Sequence, residues 1–248
     1  MEEAKPQKYL ARVSEKYFLT ESERFLLVKL ELVKPDRMSF LAGQYVSLQI
    51  NEKGERRSYS IASTPDENHG FQVVAEMVDE GKGSEFLRKI EIGATIEALA
   101  PLGVFTVSQS HSVTDNKLLF VATGSGIVPI WSMINDLLIN KQEKRQLRLH
   151  WGMASEAEMF WFDNLERLAE VHPNFVFDLV LSKPSEGWEL CRGHVQDCLR
   201  RDFSTQSGQG LKEWEGYVCG SQKMVAEIIQ VLTELKMDPT KIYQEKFV

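Results

Sequence analysis

The chain has 248 residues, enough for one large domain or two of ordinary size. Hydrophobic residues make up 43% and charged residues 26%, which suits a soluble globular fold and excludes a disordered or fibrous one. A net charge of −7 argues against nucleic acid as a partner, since that needs a basic footprint, but leaves room for a local basic docking patch.

The first residues include Glu2, Glu3 and Lys5, a poor start for a secretory leader. Short strands are predicted at 10–13, 24–32, 44–50, 71–78 and 95–99, with one helix at 84–90. Such a run predicts a closed antiparallel barrel. Residues 108–116 are polar and aperiodic and read as a linker, which divides the chain at 1–112 and 113–248.

Beyond the linker the pattern changes. Residues 117–122 form an apolar strand, Gly124-Ser125-Gly126 a turn, and the following helix puts Ile130, Ile134, Leu137 and Leu138 on one face. Residues 118–135 carry no formal charge, yet their central glycines and Pro129 favour strand, turn and helix over a membrane span. A strand is predicted at 147–151. Ser155-x-x-Glu158 has capping-box spacing ahead of a helix presenting Phe162, Leu165 and Leu168. Strands at 175–181 and 216–219 and helices at 195–201 and 222–236 complete the alternation, which predicts a parallel sheet.

Cys191, Cys198 and Cys219 form no CxxC pair, so reduced thiols in a cytoplasmic protein are expected. The five histidines show no metal-ligand spacing, and no metal site is predicted.

Four stretches carry chemistry. In Arg57-Ser58-Tyr59-Ser60, strand alternation sends Arg57 and Tyr59 to one side and Ser58 and Ser60 to the other. Arg57 suits a bidentate grip on a pyrophosphate, Tyr59 a flat heterocycle, and Ser60 a ring nitrogen. An edge strand with a snorkelling Arg and a half-buried Tyr explains the same residues. Further on, Met77 and Val78 lead to Gly81-Lys82-Gly83-Ser84 and then a helix, whose unpaired first N–H groups suit a phosphate. A plain turn with Ser84 as N-cap is the alternative. In the second half, small residues end two strands, at Thr123-Gly124-Ser125-Gly126 and at Cys219-Gly220-Ser221, leaving room for a planar ring. This is not the Rossmann fingerprint, and no acidic residue is read at the end of the next strand. From composition alone Cys219 is a small buried hydrophobe.

In order along the chain, Arg57-x-Tyr59-Ser60, Gly81-Lys82-Gly83-Ser84, Pro101-Leu102-Gly103-Val104-Phe105, Thr123-Gly124-Ser125-Gly126-Ile127-Val128-Pro129, Cys219-Gly220-Ser221 and Glu245-x-Phe247 resemble the ferredoxin–NADP reductase superfamily. The resemblance implies an N-terminal antiparallel flavin-binding β-barrel and a parallel-sheet α/β domain for NADPH or NADH. It implies FAD, with FMN as the alternative, held by Arg57, Ser58, Tyr59, Ser60, Met77, Val78, Gly81, Lys82, Gly83 and Ser84. It implies a nucleotide at Thr123, Gly124, Ser125, Cys219 and Gly220, and a catalytic group of Ser60, Cys219 and Glu245. Cys219 would align the nicotinamide without attacking it. Phe247 would cover the flavin or serve as a C-terminal apolar anchor, since Val248 follows it. Gly152 is followed by Met153 and Ala154 where the family often has Arg, so Ser155, Lys183 and Arg192 are the candidates for a 2′-phosphate. Ser221 stands in place of the usual proline and suits a helix cap.

The function implied is an FAD-dependent NAD(P)H reductase that hands single electrons to a ferredoxin, a flavodoxin or an oxygenase component. The chain holds no cysteine cluster for its own iron–sulfur centre. Alternatives are a reductase that releases reduced flavin and a non-catalytic nucleotide sensor. A monomer without a membrane span is expected.

Overall fold

The computed structural model describes residues 4–107, 116–204 and 210–247, so most of the expected linker lies outside the described residues. The chain divides into two compact units, Met1–His111 with Trp131–Gln142, and Ser112–Ile130 with Glu143–Val248.

The first unit is a six-stranded antiparallel sheet built from β1 (Gln7–Phe18), β2 (Phe25–Lys34), β3 (Tyr45–Gln49), β4 (Arg56–Ser60), β5 (Gly70–Glu76) and β6 (Thr95–Leu102). The strand order is β4-β3-β6-β1-β2-β5. An isolated bridge between Ile61 and Val73 and the Ala62 N–H donating to the Gln72 carbonyl bring the two edges together, nearly closing a barrel. Alternation supplies the core: Tyr9, Ala11 and Val13 of β1 and Val46 and Leu48 of β3 point inward among Val28, Leu30, Phe71 and Val73. Helix α1 (Lys82–Lys89) buries Leu87 in that core. Lys16 Nζ donates to the carbonyls of Leu87, Arg88 and Ile90 at 3.3, 3.0 and 2.6 Å, satisfying acceptors that the end of α1 leaves open. Thus α1 begins two residues before its predicted start.

The second unit is a parallel sheet of β7 (Lys117–Thr123), β8 (Leu147–Met153), β9 (Phe175–Leu181), β10 (Cys191–Arg192), β11 (Trp214–Ser221) and β12 (Ile242–Phe247), in the order β10-β9-β8-β7-β11-β12. Its helices are α3 (Phe162–Val171), α4 (Val195–Asp202) and α5 (Gln222–Glu234), while α2 (Ile127–Asn135) starts in this unit and passes at Trp131 into the first. Leu118 to Ala122 are all buried, as a strand covered on both faces requires. The uncharged stretch is therefore β7, a tight turn and α2. Among the described residues no helix is long and apolar enough to cross a membrane. After α2 the backbone widens, with Lys141 N–H bonding to the Asp136 carbonyl, so Leu137 and Leu138 lie in a looser turn than predicted.

Two local features differ from the elements predicted. The capping box does not form: Ser155 makes no side-chain cap, Glu156–Glu158 are a short 3₁₀ turn, and α3 starts after Trp161 at φ 59°. The segment Ile242–Phe247, for which no strand is predicted, adds to the sheet as β12.

His150 of β8 is fully buried, and both its ring nitrogens lack a hydrogen-bond partner among the described residues. Beside it Arg148 donates to Asp178 at 2.9 Å and to Asp202 at 2.7 Å, tying β8, β9 and α4 together. Burial, opposed by Asp178, lowers the His150 pKa from 6.5 to about 4. The unfolded ring therefore takes a proton at a pH where the folded ring stays neutral. Stability of this unit falls as pH drops from 6.5 toward 4, by on the order of 2–3 kcal/mol from this group. In urea unfolding at pH 7 and pH 4.5, His150→Phe is expected to lose less stability than the parent over that interval. Equal losses contradict this assignment.

Candidate cofactor and nucleotide sites

In the barrel unit Arg57 and Tyr59 lie on one face of the edge strand β4, and Gly83 of α1 packs directly onto them. A Cβ at Gly83 would collide with the Tyr59 hydroxyl and approach Arg57 Cγ to 3.0 Å. Two stretches far apart in sequence therefore form one surface. Burial, partly opposed by Arg57, pushes the Tyr59 pKa up to about 12, so its hydroxyl stays a proton donor. Ser60 is buried, opposite Tyr45, whereas Ser58 is exposed.

Glu55, absent from the sequence reading, reveals the charge preference of this surface. Its carboxylate receives Arg57 Nη2 at 2.8 Å and Lys82 Nζ at 3.1 Å. The Lys82 and Arg57 hydrogen bonds hold its pKa below the ordinary range. Two cations from separate elements thus converge on one anion, next to glycine backbone at a helix start. A flavin phosphate fits that set of residues.

Ser84 does not cap α1. Its hydroxyl donates to the Glu76 carbonyl at 3.3 Å and accepts from the Val78 N–H at 3.1 Å, tying the loop to the end of β5. Gly81 takes the cap position without a side chain. Met77 is tied by its N–H to the Arg24 carbonyl, and Val78 is largely exposed.

In the parallel unit the order of strands reverses at β7, which lies between β8 and β11. Open α/β sheets bind ligands beyond the carboxyl ends of strands at such a point. Here lie Thr123, Gly124 and Ser125 on one side and Cys219 and Gly220 on the other. Gly126 presses on β11 so closely that a Cβ would strike the Cys219 carbonyl oxygen and come 2.7 Å from its carbon. Trp151 Nε1 donates to the Gly124 carbonyl at 3.1 Å and supports the turn from below. Ser221 caps α5, accepting from the Met224 N–H at 3.3 Å.

Parallel pairing sets Cys219 opposite Glu245 and Ser221 opposite Phe247. Cys219 is fully buried, and burial, then the Glu245 charge, raises its pKa well above the usual thiol value. It is a neutral thiol, suited to packing and orientation and unsuited to nucleophilic attack. Phe247 is half-buried.

One group of metal-ligand type occurs among the described residues: His150, Asp178 and Asp202, with ligand atoms within 4.8 Å of one another. Arg148 already holds the carboxylate oxygens that face His150, so the group is an ion-pair network.

Two family models match the chain. An oxidoreductase FAD-binding domain covers residues 10–107, and an oxidoreductase NAD-binding domain covers 120–230. Ferredoxin–NADP reductase B of Sorangium cellulosum is 31% identical over 227 residues, spanning 88% of this chain and 91% of that protein. The chain belongs to the ferredoxin–NADP reductase superfamily. Another member, the reductase component of phenol 2-monooxygenase from Pseudomonas sp., is 32% identical over 219 residues, 87% of this chain and 60% of that one. This chain thus spans less than two thirds of that relative. An Amycolatopsis cytochrome P450 reductase superposes with a TM-score of 0.87 at 26% identity, covering 98% of this chain and 70% of its own. FAD and NAD(P)H are the cofactors these domains bind.

The Gly126 contact is with backbone, which cannot move aside cheaply. Gly126→Ala should therefore destabilise the parallel unit by about 1–3 kcal/mol, read as a lower melting temperature. Gly187→Ala, where a Cβ meets nothing within 4 Å, is the control and should change little.

Proposed function

We propose that the chain is an NAD(P)H-oxidising flavoprotein reductase that passes electrons singly to a separate carrier, a ferredoxin, a flavodoxin or an oxygenase component. The observation that carries this reading is the paired arrangement of Cys219 and Glu245 at the strand-order reversal, in a chain that also offers the Arg57–Lys82 cation pair. Relatives named as the reductase component of phenol 2-monooxygenase and the electron transfer component of anthranilate 1,2-dioxygenase support the oxygenase form of the acceptor. A flavin held there would supply the chemistry, the exchange between a paired electron donor and single-electron acceptors.

The chain's own residues bind and orient. In this reading Arg57 and Lys82 neutralise phosphate, Tyr59 lies against the flavin, and Ser60 offers its hydroxyl. Gly81, Gly83 and Ser84 bring backbone close, with Ser58, Met77 and Val78 flanking. Thr123, Gly124, Ser125 and Gly220 admit the nucleotide, and Cys219 with Glu245 aligns its reactive ring. Phe247, one strand over, closes that side. The working division is 1–112 for flavin and 113–248 for nucleotide. We take the protein to act as a monomer in the cytoplasm, a compartment that suits three cysteines free of disulfides.

Arg57→Ala should lose flavin, since a charge-assisted bond of about 1.5–3 kcal/mol is removed. The flavin-to-protein absorbance ratio after gel filtration measures it, and full retention removes Arg57 from the phosphate site.

Cys219→Ala should slow flavin reduction by NAD(P)H, by up to about 100-fold, while flavin content holds. Anaerobic stopped-flow absorbance beside thermal melting of the same variant distinguishes the roles. An unchanged rate with a lowered melting point makes Cys219 a packing residue.

A further inference from the structure

Glu156 was overlooked in sequence because it lies beyond the end of β8, in the 3₁₀ turn Glu156–Glu158. The fold brings it back. Its Oε1 accepts from the Ser185 N–H at 2.8 Å and from the Ser185 hydroxyl at 2.7 Å. Ser185 follows β9, so the carboxylate is fixed between the carboxyl ends of β8 and β9. Beneath it the backbone is laced across the same two strand ends, with Ser182 N–H bonding to the Met153 carbonyl and Lys183 N–H to that of Ala154. Among the described residues no hydrogen bond is made to Oε2. The Ser185 bonds hold the Glu156 pKa below the ordinary range, so the group is anionic at neutral pH.

The strand order places this carboxylate in a defined relation to the nucleotide. Strands β9-β8-β7-β11-β12 run with the reversal at β7. A dinucleotide seated at that reversal, nicotinamide toward β11, extends its adenosine half over the end of β8. An acid at this position accepts from a ribose 2′-hydroxyl, and a 2′-phosphate there meets a like charge. Arg192 is the neighbouring cation, and its charge adds to the Ser185 bonds in lowering the Glu156 pKa. Its Nη2 donates to the Glu186 and Trp188 carbonyls at 2.8 and 2.7 Å, which ties that end of the guanidinium to its own loop. Lys183 is exposed, and its backbone N–H ties it to this corner.

We infer that Glu156, braced by Ser185, selects NADH over NADPH by accepting from the adenosine ribose 2′-hydroxyl and repelling a 2′-phosphate. This rests on the reductase reading above and names the nucleotide for the same site. It replaces Ser155, Lys183 and Arg192 as the residues that decide nucleotide choice.

The test uses the flavin-loaded protein and two readouts. Calorimetric titration with 5′-AMP and with adenosine 2′,5′-bisphosphate measures the subsite without turnover, and kcat/KM for NADH and NADPH with ferricyanide measures its consequence. The parent should favour 5′-AMP and NADH by about tenfold or more, as a like-charge contact of this kind predicts. Glu156→Gln keeps the shape and removes the charge. It should tighten the bisphosphate and raise kcat/KM for NADPH about tenfold, with 5′-AMP binding and kcat/KM for NADH changing by less than about threefold. Lys183→Ala should leave both ratios unchanged. A parent that prefers the bisphosphate and NADPH overturns the inference, as does a Glu156→Gln variant that shifts both nucleotides equally. Absence of turnover with either nucleotide would strike the reductase reading instead, and the calorimetric ratio would still decide the role of Glu156.

Discussion

The close approach of Gly126 to the Cys219 carbonyl is the contact on which the nucleotide half depends. Only a residue without Cβ lets the turn after β7 lie flat on β11. With that approach made, β7 and β11 pair in parallel and Ala122 stands opposite Cys219. The order of strands then reverses at β7, which gathers two small-residue strand ends at one place. The next strand, β12, extends the pairing and sets Glu245 opposite Cys219. A reversal of strand order, a buried neutral thiol and a neighbouring carboxylate meet at this one backbone contact.

Electrostatics does a different job in each unit. The chain as a whole is acidic, with a net charge of −7, yet Arg57 and Lys82 concentrate positive charge on one carboxylate. These groups are partly exposed, so their pairing contributes little to stability and matters as a preference for anions. In the parallel unit the corresponding decision is negative. Glu156 is held ionised by two hydrogen bonds from one serine, at the corner between two strand ends. The buried network around His150 serves the fold: Arg148 spans two acids, and the imidazole is kept neutral among them.

Individual residues show how local signals succeed and fail. Leu118 to Ala122 had to be a buried strand, because five consecutive apolar residues ahead of glycines suit little else. Ser221 caps α5, since a serine at the entry to a helix needs only the N–H three residues on. Ser155-x-x-Glu158 had equally good spacing and formed no cap. The chain turns left-handed at Trp161 and α3 begins after it, while Glu156, between the two residues of that box, bonds to a serine 29 residues away. Ser84 likewise exchanges a helix cap for the end of β5.

By itself the sequence determined the class of each half, the order of the elements and the candidates at Arg57, Tyr59, Gly83 and Cys219. Periodicity, turn residues and motif order are local properties that survive without coordinates. Only the tertiary structure decided which of these meet: Gly83 on Tyr59, Glu55 between Arg57 and Lys82, Glu245 beside Cys219, Glu156 with Ser185. Each of these pairings joins different elements or loops, and sheet register and loop return set them. Neither is encoded in the spacing of neighbouring residues, because each depends on which backbone can approach which.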